Sequence, residues 1–304
     1  MRRRSAIKLI LPLLAAAGLA AAAYAAKRPA DAAVQQARYL GSYSWHLKQP
    51  WFGGFSALKL NDNGQALTAL SDRATLVTSR IRRRDGQIAD ISVTAAHPLL
   101  ASSGKVLNGP SGDSEGLAVA ADGVRYISFE GTARVARYQH PQDRAEVLPR
   151  PGAFRKLPRN KSLETLAIDR HGHLYTLPER ALDQQGQIPV WRWNGRKWSR
   201  PFSLPPRGGF LPVDADFGPD GRFYLLERDL TLLGFRSRLR RWDITADGPE
   251  NEVTLLQTAA GTHDNLEGLS IWRDSTGGLR ATMISDDNFL PLQRTELVEY
   301  ALPR

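Results

Sequence analysis

The chain has 304 residues, no cysteine, and 41 Lys and Arg against 31 Asp and Glu, for a formal net charge of +10. The missing thiols exclude a disulfide framework, a thiolate metal site, a cysteine nucleophile and lipid attachment to cysteine. Stability must come from core packing, which roughly 270 residues can supply as one closed all-β domain.

Residues 1–26 read as an export leader separate from the fold. Arg2, Arg3, Arg4 and Lys8 precede an Ala/Leu-rich stretch from Leu9 to Ala23, and Ala23-Tyr-Ala25 is a small-x-small cleavage site. Arg3-Arg4-Ser-Ala-Ile-Lys8 has the form of a twin-arginine signal, with Ala where an aromatic is usual. An uncleaved anchor is the alternative, since the apolar run is nearly long enough to span a bilayer. The expectation is a cleaved protein, periplasmic or secreted, with no stable membrane insertion. The leader carries four of the basic residues, which leaves the mature chain near +6. The remaining basic residues, as in Arg82 to Arg84 and Arg236 to Arg241, alternate with apolar ones as an outward strand face would. No nucleic-acid module is recognisable, but a basic exterior would draw in small anionic substrates.

After residue 40 helical periodicity nearly vanishes, and short apolar runs separated by Gly, Asp-Gly and Pro predict strands. The first group is Phe55 to Leu60, Gln65 to Leu70, Thr75 to Arg82 and Ile88 to Ala95. The second is Gly116 to Ala120, Val124 to Phe129, Ala133 to Tyr138 and Ala145 to Leu148. The third continues through Pro189 to Trp193 and Lys197 to Leu204. The fourth has Asp214 to Gly218, Arg222 to Glu227, Arg238 to Ile244 and Glu252 to Thr258. The fifth has Leu266 to Trp272, Leu279 to Ser285 and Thr295 to Ala301, and Arg38 to Leu47 is the candidate for its missing outer strand.

In each group an apolar run meets a tight turn, returns, and stops on an acid. The stops are Asp72, Glu130, Glu179, Glu227 and Asp286, spaced 58, 49, 48 and 59 residues apart. Self-similarity of about 50 residues with β-type pattern predicts a single all-β propeller over residues 38–304, with five four-stranded blades and six as the alternative. Pairing the N-terminal strand with the last blade would close the ring and cover an exposed edge. A monomer is expected.

Antiparallel pairing brings the start of each first strand and the end of its second strand to the same end of the sheet. Glu115 then shares a face with Glu130, Glu164 with Glu179, Asp214 and Asp216 with Glu227, and Glu267 with Asp286 and Asp287. Such a crowd of carboxylates around a tunnel mouth calls for partners. Ca²⁺, which takes six to eight oxygen ligands, is the expected cofactor. The predicted metal ligands are Glu115, Glu130, Glu164, Glu179, Glu227, Glu267, Asp286 and Asp287. The competing expectation is that each acid pairs with a neighbouring arginine, as in Glu179-Arg180 and Glu227-Arg228, and pins its blade. Glu267, Asp287 and His263 are the candidate catalytic residues, with His263 as a general base, a ligand or a plain loop residue. His-Glu-x-x-His and phosphate-cradling Gly loops are missing from the sequence.

Gly53-Gly-Phe-Ser56-Ala-Leu, Ser71-Asp72-Arg73, Asp113-Ser-Glu115-Gly-Leu, Pro178-Glu179, Glu227-Arg228, Asn265-Leu-Glu267-Gly-Leu and Ser285-Asp-Asp287-Asn-Phe289 together resemble the phytase-like family, an exported bacterial domain described as "esterase-like activity of phytase". The resemblance covers roughly residues 40–302. It implies a β-propeller and a phosphoric or other ester hydrolase. The fourth repeat departs from it, with Val213-Asp-Ala-Asp216 where Asp-x-Glu-Gly is expected, so metal ligation there is in doubt. Metal-assisted hydrolysis of a small phosphoester is the leading expectation. A lactonase or carboxylesterase propeller, or a non-catalytic binding propeller, is the alternative.

Overall fold

The computed structural model describes residues 36–158 and 162–303, so the predicted leader lies outside the described residues. β1 (Arg38–Ser44) is followed by four hairpin-connected strands, β2 (Phe55–Leu60), β3 (Ala66–Ser71), β4 (Thr75–Arg84) and β5 (Gln87–Pro98), which form blade 1. Blade 2 is β6 (Ser114–Val119), β7 (Arg125–Phe129), β8 (Arg134–Tyr138) and β9 (Glu146–Val147). Blade 3 is β10 (Ala167–Ile168), β11 (Leu174–Thr176), β12 (Ile188–Trp193) and β13 (Trp198–Leu204). Blade 4 is β14 (Leu211–Phe217), β15 (Phe223–Thr231), β16 (Gly234–Ile244) and β17 (Pro249–Gln257). Blade 5 takes β18 (Asn265–Arg273), β19 (Leu279–Asp286) and β20 (Glu296–Ala301), and its fourth strand is β1.

The protein is therefore a five-bladed β-propeller closed by its own N-terminal strand, which pairs antiparallel with β20. Burial follows blade contacts rather than one central core. Five apolar clusters each fill the gap between two neighbouring blades, as with Trp45, Phe55 and Ile284 between blades 5 and 1. Phe154, Leu166 and Trp193 belong to the cluster between blades 2 and 3. The inner strands β2, β6, β10, β14 and β18 surround the axis.

A lysine closes that axis. Lys59 on β2 reaches across to β18 and β14, donating to the Leu269 carbonyl at 2.8 Å and pairing with Asp216 at 3.1 Å. Asp214 and Asp216 also accept from the Leu269 and Ile271 amides of β18, each at 2.7 Å. They cross-link two inner strands that have no sheet ladder between them, which explains the departure of the fourth repeat from the family motif.

Blade 4 also differs from expectation in one hairpin. The sequence pattern ends its second strand at Glu227 and resumes at Arg238, whereas β15 and β16 pair continuously out to Thr231 and Gly234. This extra reach places a hairpin tip beyond the end of the disc.

Candidate functional site

Register within the blades sorts the mouth residues into two rings. In blades 1, 2, 4 and 5 the inner strand carries a β-bulge, falling after Phe55, Ser114, Pro212 and Leu266. The bulge residues are Ser56, Glu115, Val213 and Glu267, and Glu164 holds the same position in blade 3, where the Leu163–Pro178 bridge precedes it. A bulge re-aims the extra side chain out of the sheet alternation, here toward the axis. The glycine that follows Glu115 and Glu267 is required by crowding. A Cβ on Gly116 would strike the backbone of Leu166, and one on Gly268 would meet Ala57 at 2.9 Å. The Glu-Gly pair is thus one device that turns a carboxylate inward and lets the next blade approach.

The second ring is the residue that closes each second strand. Asp72 donates its amide to Gly54, Glu130 to Asp113 and Glu179 to Ser162, while Arg228 pairs with Leu211 and Asp286 with Asn265. The equivalent residues are therefore Asp72, Glu130, Glu179, Arg228 and Asp286. In blade 4 an arginine stands where the other blades have an acid.

The rings divide the mouth by charge. On the side of blades 3 to 5, Arg228 forms an ion pair with Glu267, donates to Asn265 at 2.6 Å, and lies 3.9 Å from Glu179. Burial opposes its charge, but Glu267, Glu164 and Glu179 outweigh that and raise its pKa. On the side of blades 1 to 3, Arg73 offsets part of the burial of Asp72, but no cation relieves Glu115 or Glu130. Burial, reinforced by Glu164, Glu267, Glu130 and Asp113, pushes Glu115 well above the usual carboxylate range. Burial also lifts Glu130 to about 7 and Asp72 to about 6, and on blade 5, next to blade 1, it lifts Asp286 to about 8. Glu130 and Glu164 are close enough to hydrogen-bond, which two ionised carboxylates cannot do without a shared proton or a cation.

Asp113, Glu115 and Glu130 present oxygens that all lie within 4.8 Å of one another. The donor set is oxygen alone, hard and anionic, which fits a divalent cation of the Ca²⁺ or Mg²⁺ type. These three residues could hold a metal, with Glu164 beside them.

Several predicted site residues lie elsewhere. Glu227 falls one position short of the mouth, and its carboxylate is fully enclosed by Arg238 at 2.7 Å and Arg240 at 2.5 Å. Asp287 accepts from the amides of Gly54 and Phe289 and from the Thr295 hydroxyl, tying blade 5 to blade 1. His263 is buried against Tyr300, whose hydroxyl is 2.7 Å from Nε2, and faces Tyr39 of the closing strand. Glu115, Glu130, Glu164, Glu179, Glu267 and Asp286 all belong to the two rings.

Asp72, Asp113 and Arg228 complete the site; the sequence pattern named Asp72 as a strand-closing acid and Arg228 only as a partner for Glu227, and none of the three as a ligand. Counting would have found Arg228. Glu130 and Glu179 each lie seven residues after the turn glycine, and seven residues after Gly221 is Arg228, not Glu227. Gly54 belongs with them for a steric reason. Its φ is +61°, and a side chain there would collide with the Asp72 carboxylate and the Phe289 ring, which in turn is covered by the Arg73 guanidinium at 3.2 Å.

The uncompensated acids make stability depend on pH in an unusual direction. A carboxyl whose pKa is higher folded than unfolded holds more protons in the native state, so stability falls as pH rises from the unfolded value, about 4, to the folded one. Asp72, Glu130 and Asp286 all act this way. His263, lowered chiefly by burial, works in the opposite sense below about pH 6.5, but it is one group against several. The melting temperature measured in chelator should decline from about pH 5 to about pH 8, and a divalent cation should flatten that decline. A flat profile in chelator would show that the acids are not crowded.

An all-β ring with a carboxylate-lined mouth defines a propeller whose chemistry is gathered at one end of its axis. Residues 50–289 match the phytase-like family, described as esterase-like activity of phytase, and the chain belongs to that family. Membership and fold together support a hydrolase-type propeller. Among solved structures, the chain is similar to an α-L-arabinofuranosidase from Podospora anserina in complex with cellotriose. The identity is 13% and the TM-score 0.55, over 89% of this chain and 98% of that one. It is also similar to the catalytic domain of an α-L-arabinofuranosidase from Coprinopsis cinerea, at 12% identity and a TM-score of 0.53, over 88% and 97% of the two chains. At these identities the likeness is one of fold. No curated protein matches the chain in sequence.

Proposed function

We propose that the protein is an exported, calcium-assisted ester hydrolase acting on small phosphoesters at the acidic mouth. The observation that carries this reading is the convergence of Asp113, Glu115 and Glu130 within 4.8 Å, in a chain whose family is described by an esterase-like activity. Bound at those three residues, calcium would polarise a phosphoryl oxygen and turn an acidic mouth into a receptor for an anion.

The chain's own groups supply the rest. Arg228, held between Glu267 and Glu179, offers a fixed positive charge across the mouth to orient the ester's anionic oxygens. Asp72, with a pKa of about 6, is ionised at neutral pH and able to take a proton from water. Asp286, at about 8, retains its proton there. Its Oδ1 accepts from the Asn288 amide at 2.7 Å, which leaves Oδ2 to donate to a departing alkoxide. Action as a monomer in the periplasm or outside the cell rests on the leader-like N-terminus and on a ring closed within one chain.

A carboxylester or lactone is the second reading, favoured by the apolar residues Leu211, Leu230 and Phe235 beside the mouth. Assays of phosphate release and of p-nitrophenyl acetate and lactone hydrolysis, with calcium and with chelator, separate the two. Calcium-dependent phosphate release supports the proposal, and carboxylester turnover without phosphatase activity transfers it to the second reading. Lack of any turnover, with no thermal shift at millimolar calcium, would leave a non-catalytic binding propeller.

A further inference from the structure

We infer that the ester this mouth takes is amphipathic, with an apolar chain lying along Leu211, Leu230 and Phe235 and a polar head facing Arg228 and Arg180. This deepens the proposed function and rests on that reading for the word substrate, though not for binding.

Two observations converge. The first is a cavity of about 410 Å³ above blades 3 to 5, with a mixed polar and apolar lining. Its polar lining includes Glu179, Arg180, Arg228 and Asn265 and its apolar lining is Leu211, Leu230 and Phe235, with the Arg228 guanidinium 5.9 Å from the Phe235 ring. A heavily hydroxylated or multiply phosphorylated substrate would leave Leu211, Leu230 and Phe235 unmatched, whereas an alkyl chain leaving a charged head would cover them. Arg180 gives one nitrogen to Glu179 at 3.1 Å, and its side chain is half-exposed and lines the same cavity, so charge for an anionic head is at hand.

The second observation is where this protein exposes its large hydrophobic side chains. Among the described residues there are nine, and six of them are leucines in segments that extend from the mouth end of the disc. Leu230, Leu232 and Leu233 lie on the β15–β16 hairpin, which continues three residues past Arg228, or roughly 10 Å at strand rise. Leu290 and Leu292 follow Asp286, and Leu182 follows Glu179. Leu232 and Leu292 are fully exposed. Scattered apolar residues on a surface need no explanation, but concentration on one face marks a contact with something apolar. The three blades that carry these leucines are the three that wall the cavity, and Leu230 belongs to both features.

The test is a series of alkyl phosphates from ethyl to dodecyl, each below its micelle concentration, with the full mature chain and calcium. Wild type should gain up to about fourfold in kcat/KM per buried methylene until the cavity is filled. Leu230→Ser and Phe235→Ser should lower the dodecyl-to-ethyl ratio at least tenfold, through KM rather than kcat. A wild-type ratio near one, or a ratio kept in both variants, overturns the inference while leaving the hydrolase reading intact. If no ester is turned over, that reading fails, and titration calorimetry then decides this one. Dodecyl phosphate binding at least tenfold tighter than ethyl phosphate supports it, and equal affinity overturns it. Binding to phosphatidylglycerol vesicles without binding of monomeric dodecyl phosphate also overturns it, because the leucines would then be docking on a lipid surface.

Discussion

Glu115→Gln should cut calcium-dependent hydrolysis by at least about a hundredfold while leaving the metal-free protein as stable as wild type or more so. Glu115 sits in the bulge of β6, where burial and the charges of Glu164, Glu267, Glu130 and Asp113 all disfavour its ionised form. Glutamine keeps the shape and removes a charge that the metal-free fold has to tolerate. With calcium the sign should reverse, because the lost charge belongs to one of the three converging acids proposed to hold it. The rise in melting temperature expected for wild type in calcium should shrink with it, since a ligand stabilises only to the extent that it binds the native state. Melting curves in chelator and in calcium, with phosphate release measured in parallel, test both halves. Calcium stabilisation and turnover equal to wild type would show that the triad is scaffold. Glu267→Gln is a less selective probe, because it also releases Arg228 from its ion pair.

The largest loss of stability is expected from Glu227→Gln, at roughly 3–5 kcal/mol, the usual cost of breaking a buried charge network by removing one partner. For a domain of this size that corresponds to a fall in melting temperature on the order of 10 °C. The carboxylate is completely buried and answers two guanidinium groups, Arg238 and Arg240. Arg240 would keep Glu252 at 3.0 Å and the Pro205 carbonyl, and Arg238 would keep the Arg207 carbonyl and the Phe210 ring, which argues for the lower half of the range. Because the mouth position of blade 4 belongs to Arg228, the same substitution should leave the thermal shift produced by calcium intact. Replacing all three residues with apolar ones of similar volume should recover most of the stability, since the penalty comes from unpaired charge rather than from lost volume. A calcium response lost together with stability would mean that Glu227 reaches the metal after all.

Strands, turns and blade count were legible in the sequence because they are local. Alternation within six or seven residues sets a strand, a glycine with positive φ sets the turn, and the repeat near 50 residues sets the blade. The same pattern placed the closing strand at Arg38 and gathered Glu115, Glu130, Glu164, Glu179, Glu267 and Asp286 at one end, since antiparallel neighbours must share it. The partner of each acid was not legible. Asp287 is held by the amide of Gly54, 233 residues away, and Lys59 reaches a carbonyl 210 residues away. No local pattern encodes contacts between blades that meet only when the ring closes. In blade 4 the residue seven after the turn glycine is Arg228, which pairs with Leu211 at the mouth, while Glu227 one step earlier turns into the protein against Arg238 and Arg240. Composition and periodicity thus determined a propeller with an acidic face, and only tertiary packing decided which carboxylates are neutralised by arginine and which are left for a cation.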